Sequence, residues 1–127
     1  MTTDPIILPE IIGTVVVTVP FWVSAWVKAS DLNKAICEIA TLGLPFPRAT
    51  TAAVIGLQAS ASALIITGYL VWPSAFALIA FTGLASLQAH RFWEHDGILR
   101  TTNFNAFMAN IGLIGGLLLG AVVRSTP

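Results

Sequence analysis

Three long stretches of this chain contain no charged side chain, and the charged residues collect in the segments between them. Residues 11–27, 49–90 and 101–123 have no Asp, Glu, Lys or Arg. A charge at the centre of a bilayer costs several kcal/mol, so charges gather at the ends of membrane-spanning helices. Because one crossing takes about 20 residues at about 1.5 Å per residue, the middle stretch is long enough for two passages. The pattern predicts four transmembrane helices.

Pro73 lies near the midpoint of the middle stretch and predicts a turn at residues 71–74. Trp72 suits the headgroup layer as an interface anchor, and Pro73 suits the first turn of the next helix. The predicted spans are residues 8–27, 50–71, 74–92 and 103–123. The expected fold is therefore all-α: an integral membrane four-helix bundle that forms a single membrane domain over residues 1–127.

The segment between the first two spans carries the signals of a short amphipathic helix at residues 31–42. Asp31 is a plausible N-cap, and Gly43 with Pro45 forms a stop signal. Apolar residues recur at helical spacing, namely Leu32, Ala35, Ile36, Ile39 and Ala40. We interpret the segment as a helix lying at the membrane surface, with a structured loop as the alternative.

The composition agrees with a membrane environment, since 56% of the residues are hydrophobic and 9% are charged. An average soluble domain has roughly a quarter charged residues. The six basic and six acidic residues cancel, so no basic field is present to attract nucleic acid. Membrane lipids are the expected surroundings, and nucleic acid is not an expected partner.

The basic residues are distributed unevenly over the predicted loops. The side with the two longer loops carries Lys28, Lys34, Arg48, Arg91 and Arg100. The opposite side, with both termini, carries Arg124. The positive-inside rule therefore predicts cytoplasmic long loops and external termini.

Reactive chemistry is scarce in this sequence. The single cysteine, Cys37, excludes an internal disulfide, a Cys-x-x-Cys redox pair and a cysteine-based metal site. Between His90 and Asp96 two histidines and two acids occur together, but only His90 and Glu94 share a helical face, and Trp93 suits an interface anchor. We predict no catalytic residue, no metal site, no covalently bound cofactor and no independent enzymatic activity.

Small residues at intervals of four indicate faces where helices approach closely in lipid. The last span has such a face in Gly112, Gly116 and Gly120, and the second span has one that includes Gly56 and Ser60. Each face is suited either to packing inside the bundle or to a partner subunit.

Polar residues inside the spans are the candidate ligand-binding residues. Gln58 and Gln88 lie at equal distances along the chain from Pro73, so a turn there would hold both amides at one depth. Asn110 is expected at a comparable level, with His90 and Asn105 closer to the surface. Such a layer suits the carbonyl oxygens of a quinone or a lipid headgroup, and interhelical hydrogen bonding is the alternative.

The order of these features over residues 26–120 resembles the DoxX-like family of small four-span membrane proteins. The segments that carry the resemblance are Trp26-Val27-Lys28, Leu57-Gln58 to Thr67-Gly68, His90-Arg91-Phe92-Trp93, and Asn105 to Asn110 leading into Gly112, Gly115 and Gly116. Gln58 stands where members often carry a glutamate, which removes an ionisable group and argues against proton handling. The family takes its name from a small subunit of an archaeal quinol oxidase and thiosulfate:quinone oxidoreductase system.

The resemblance implies a multi-pass subunit of a bacterial or archaeal inner membrane that works with an oxidoreductase and the quinone pool. We therefore interpret the chain as a non-catalytic subunit that anchors or stabilises a larger complex, with other membrane subunits as partners and a quinone or lipid as candidate ligand. The alternatives are a carrier of a small molecule, lipid or quinone, and a quinone-linked oxidoreductase subunit that acts directly in catalysis.

Overall fold

The computed structural model describes residues 7–125, and within that range the chain is helical almost throughout. The helices are α1 (Ile7–Ser30), α2 (Leu32–Thr41), α3 (Pro47–Thr67), α4 (Val71–Ala89) and α5 (Gly97–Ser125), with a 3₁₀ helix at Phe92–Glu94. Four of the described helices, α1, α3, α4 and α5, are long and apolar enough to cross a membrane. The predicted all-α architecture with four spans is confirmed.

The spanning helices form a ring in the order α1, α3, α4, α5, in which each helix packs against its two neighbours. The short helix α2 lies against α1 and α3. Because α3 and α5 occupy opposite corners of the ring, their outward faces point in opposite directions.

The distribution of side chains is typical of a bundle in lipid. Many buried positions hold small or hydroxyl-bearing residues, among them Ala61, Ser62, Ser74, Ala75, Thr82 and Ala121. Large apolar side chains point outward from α1, α4 and α5, for example Val16, Val23, Phe76, Leu84 and Leu119. Small residues let helix backbones approach closely where hydrocarbon tails surround the bundle.

The turn between α3 and α4 lies earlier than predicted. Helix α3 ends at Thr67, and Gly68 takes a left-handed conformation with φ of 86°. This turn brings the backbone nitrogen of Tyr69 to 3.0 Å from the carbonyl oxygen of Leu64. Pro73 instead lies in the first turn of α4, where the missing N–H has no intrahelical acceptor to lose. The predicted turn at residues 71–74 is therefore wrong.

Other boundaries also differ from the hydropathy pattern. Helix α3 begins at Pro47, whose fixed φ suits the first helical position, and α5 begins at Gly97. Each helix therefore includes a charged residue near its start, Arg48 in α3 and Arg100 in α5, which the prediction placed outside the spans. Helix α4 ends at Ala89, before the predicted end at residue 92.

The amphipathic helix α2 is confirmed. The side chain of Asp31 accepts a hydrogen bond from the Lys34 N–H at 3.2 Å, which caps the helix. Ala35 and Ile39 are buried, whereas Lys34 and Glu38 are exposed. Helix α2 thus places one apolar face against the bundle.

Candidate functional site

The three amides predicted to form one layer divide between two cavities. Gln58 and Asn110 line one cavity, and Gln88 lines another. Because α3 and α4 are joined at Gly68 rather than at Pro73, Gln58 lies in the middle of α3 while Gln88 lies at the far end of α4. The predicted convergence of all three amides is therefore wrong.

The small cavity lies at the middle of the bundle and has a volume of about 130 Å³. Its lining residues are Pro20, Phe21, Gln58, Phe81, Thr82, Ala85, Asn110 and Leu113. Asn110 donates from Nδ2 to Oγ of Ser86 at 2.8 Å and so links α5 to α4. Oε1 of Gln58 and Oγ1 of Thr82 are buried with no hydrogen-bond partner within residues 7–125.

The larger cavity, which we call the α2 cavity, has a volume of about 380 Å³ and lies under the buried face of α2. Its polar lining residues are Lys28, Glu38, Thr50 and Gln88. Its apolar walls include Ile39, Leu42, Val54, Phe81 and Leu84. A cation, a carboxylate, a hydroxyl and an amide therefore meet in an otherwise apolar space.

Lys28 is the residue best placed to bind a ligand in the α2 cavity. It lies in the last turn of α1, is partly buried, and donates from Nζ to Oγ of Ser24 at 2.5 Å. A lysine ammonium has three N–H donors. Since the described part of the chain shows no second hydrogen bond from Nζ, the remaining donors are available to an acceptor oxygen in the cavity.

Sequence reasoning identified Gln88 but missed Lys28, Glu38 and Thr50 as residues of this cavity. The available signal was Lys28 at the end of a span, followed closely by an amphipathic helix that carries Glu38. The direction in which α2 folds back over the bundle brings them together, and residue spacing alone does not specify that direction.

His90 and Asn105 line neither of these two cavities. His90 follows the end of α4, and its Nδ1 lies 3.3 Å from Oδ1 of Asn103. Asn105 is exposed on α5. Neither residue therefore shares a cavity with Gln58 or Gln88.

Some residues of the predicted small-residue faces pack inside the bundle, and others lie at its surface. A Cβ added to Gly116 would lie 2.9 Å from Cγ2 of Val17, and one added to Gly120 would lie 3.8 Å from Cγ2 of Thr14. These two glycines therefore pack against α1. A Cβ added to Gly112 or Gly56 would meet no atom of another described element within 4 Å, and Ser60, one turn after Gly56, is exposed.

The two predicted interface anchors are exposed tryptophans near helix ends. Trp72 lies in the first turn of α4 with its ring 5.7 Å from that of Phe76. Trp93 lies in the 3₁₀ helix and makes edge contacts with Phe92 and Phe107. Both positions suit the headgroup layer.

Metal-binding side chains do not gather in the described part of the chain: no three His, Cys, Asp or Glu residues there come close enough to hold an ion. Cys37 is exposed on α2.

An ion pair that the sequence reasoning missed links α5 to α1 at the end of the bundle opposite α2. Nη1 of Arg124 lies 3.3 Å from Oε2 of Glu10, and both side chains are mostly buried. Nη2 of Arg124 also donates to the carbonyl oxygen of Ile66 at 2.9 Å. A Cβ at Gly68 would lie 2.9 Å from the same Nη2, so a larger residue there would displace the guanidinium, and the φ of 86° also favours glycine.

Comparison with known proteins agrees with this architecture. The sequence model of the DoxX family matches residues 11–91, from α1 to just beyond the end of α4. The inner membrane protein YphA of Escherichia coli (strain K12) is 25% identical over 118 residues, which cover 93% of this chain and 83% of YphA. No solved structure is significantly similar. With a match over most of the bundle and the four spans described above, the chain belongs to the DoxX family.

Proposed function

We propose that this chain is a non-catalytic subunit of a larger redox complex in the inner membrane, and that it holds the polar headgroup of a quinone or lipid in the α2 cavity. The observation that carries the proposal is the meeting of Lys28, Glu38 and Gln88 in one largely apolar cavity. Similarity to an inner membrane protein supports the location. The redox partner is suggested by the archaeal quinol oxidase subunit from which the DoxX-like family takes its name.

The chemistry of the α2 cavity suits an amphiphile. Its volume of about 380 Å³ falls within the range of roughly 300–1,000 Å³ that small-molecule sites occupy. Lys28 and Gln88 offer N–H donors to a carbonyl or phosphate oxygen, and Glu38 offers an acceptor to a headgroup amine. Val54 and Leu84 give the adjoining hydrocarbon an apolar wall.

Lys28→Met tests the headgroup site because it removes the charge and keeps the apolar stem. The full chain is purified from native membranes, and bound quinones and lipids are identified by native mass spectrometry. We expect Lys28→Met to lose the bound amphiphile. Lys34→Met, which removes an exposed lysine on α2 outside the cavity, should retain it. Equal occupancy in the two variants would contradict the proposed site, and the mass of the ligand distinguishes quinone from lipid.

The outward face of α3 supports the subunit role. Ala52, Ala53, Gly56 and Ser60 are all exposed on it, whereas other outward faces carry large apolar residues. Small residues permit close approach of a neighbouring helix, so this face suits a membrane partner.

Gly56→Leu tests the partner face by adding bulk where a second helix would pack. We expect the tagged variant to lose the membrane proteins that copurify with the wild-type chain, while its own melting temperature stays unchanged. Ala80→Leu adds a similar side chain at an exposed position on α4 and should retain them. If both variants retain the same proteins, the α3 face is not the docking surface.

A further inference from the structure

We propose that the small cavity beside Pro20 is a second binding site, which holds an uncharged hydroxyl compound at the middle of the membrane. The ligand is water or the hydroxyl end of an amphiphile. This site is separate from the headgroup site, although Phe81 and Ala85 line both cavities.

The first observation is a pair of polar groups that lack partners. Gln58 is 2% exposed and Thr82 is 3% exposed, and neither Oε1 of Gln58 nor Oγ1 of Thr82 has a hydrogen-bond partner in the described chain. Buried polar groups in proteins are nearly always paired, either with protein atoms or with ordered water. Both side chains line the small cavity, so a molecule in that cavity can supply the missing hydrogen bonds.

The neighbouring residues do not supply these hydrogen bonds. Asn110 lines the same cavity, but its Nδ2 donates to Ser86 rather than to Gln58. Pro20 has no N–H, so α1 offers no backbone donor at that position. A purely structural role for Gln58 would require a direct bond to another helix, and the described residues show none.

The depth of the cavity in the membrane explains why a hydroxyl group would bind there. Gln58, Thr82 and Asn110 each lie near the middle of their own helix, far from the headgroup layers at both ends. Hydrocarbon cannot satisfy an amide at that depth. The groups that face the cavity therefore favour any small molecule that brings a hydroxyl group to them.

The lining defines the class of ligand. Of the described residues around the cavity, none is ionisable, which excludes a charged ligand in a low-dielectric region. An acceptor oxygen without a partner requires a donor, and a hydroxyl group is the smallest neutral one. The volume of about 130 Å³ leaves room for water or for the hydroxyl end of an amphiphile.

Water contact at Gln58 can be measured directly, because the chain contains two glutamines, Gln58 and Gln88. The full-length Gln88→Leu variant, labelled with ¹⁵N-glutamine, carries a single labelled side-chain amide and is reconstituted in phosphatidylcholine bilayers, whose lipids have no hydroxyl group. Solid-state NMR then measures magnetisation transfer from water protons to the Gln58 amide. A second sample contains dodecanol in chain-deuterated phosphatidylcholine, so magnetisation transfer from the protons of the dodecanol alkyl chain is measured without a contribution from the lipid chains.

We expect magnetisation transfer from water protons to the Gln58 amide in the first sample. If the site prefers an amphiphile, transfer from dodecanol protons should replace it in the second sample. Thr82→Val keeps the shape of the side chain and removes the hydroxyl, so it should weaken the transfer. Thr82→Ser keeps the hydroxyl and should preserve it. Absence of transfer from both water and dodecanol, or equal transfer in the two Thr82 variants, would overturn the proposal.

Discussion

Glu10 and Arg124 lie near opposite ends of the sequence, yet their side chains form an ion pair of 3.3 Å. Their side chains are only 17% and 15% exposed, so water screens the pair weakly. The guanidinium also binds the carbonyl oxygens of Ile65 and Ile66 at the end of α3, where a cation interacts favourably with the helix dipole. One side chain of α5 therefore fixes the ends of α1 and α3.

Removal of this cation should destabilise the bundle. Arg124→Gln leaves the Glu10 carboxylate and the last carbonyl oxygens of α3 without a cationic partner. We expect the free energy of unfolding to fall by about 2–3 kcal/mol. Unfolding by SDS in mixed micelles measures the change. Arg91→Gln breaks an exposed ion pair with Glu94 and should cost less than about 1 kcal/mol. Equal losses in the two variants would show that the Glu10 pair contributes no more than a surface pair.

Two glycines of the same helix should respond differently to alanine. A Cβ at Gly116 meets Val17 at 2.9 Å, whereas a Cβ at Gly112 meets nothing within 4 Å in the described structure. The gain in helix propensity is common to both substitutions and cancels in the difference. We expect Gly116→Ala to be about 1–3 kcal/mol less stable than Gly112→Ala, measured by the same SDS titration. Equal stability would mean that α1 and α5 do not approach closely at Gly116.

The hydrogen bond between Asn110 and Ser86 should appear as an energetic coupling. A double-mutant cycle with Asn110→Leu and Ser86→Ala is expected to give a coupling energy of about 0.6 kcal/mol and at most about 1.7 kcal/mol, the mean and the maximum found for hydrogen bonds between helices in lipid. Asn105→Leu, at an exposed position on the same helix, should be additive with Ser86→Ala. Additivity in both cycles would contradict the contact between α4 and α5.

Cysteine labelling tests the predicted orientation. The native Cys37 is exposed on α2, on the side expected to face the cytoplasm, and should react with a membrane-impermeant maleimide only after cells are opened. Tyr69→Cys in a Cys37→Ser background places the thiol in the exposed turn between α3 and α4. That thiol should react in intact cells. The reverse pattern would mean that the long loops are external.

The number of spans was predictable because exclusion of charge from hydrocarbon acts over whole stretches of sequence. The exact turn was not, since Gly68 and Pro73 both interrupt helices, and the contact of Gly68 with Arg124 depends on a helix far away in the chain. Because the turn lies at Gly68 and not at Pro73, Gln58 and Gln88 lie at different depths in the bundle.

The candidate sites were predictable only in part. Polarity within an apolar span identified Gln58 and Asn110, which do line one cavity. Lys28 and Glu38 looked like ordinary loop charges, because their convergence depends on how Ala35 and Ile39 seat α2 on the bundle. Spacing specifies the apolar face of a short helix but not the surface against which it packs.

The position of Arg124 also bears on how the chain is made. Glu10 and Ile66 leave the ribosome well before Arg124, which lies in the last turn of the final span. The residues at these ends of α1 and α3 are therefore synthesised before the cation that binds them. A chain truncated just before Arg124 keeps its apolar spans but lacks this connection, so the last turn of α5 completes the link between α1 and α3.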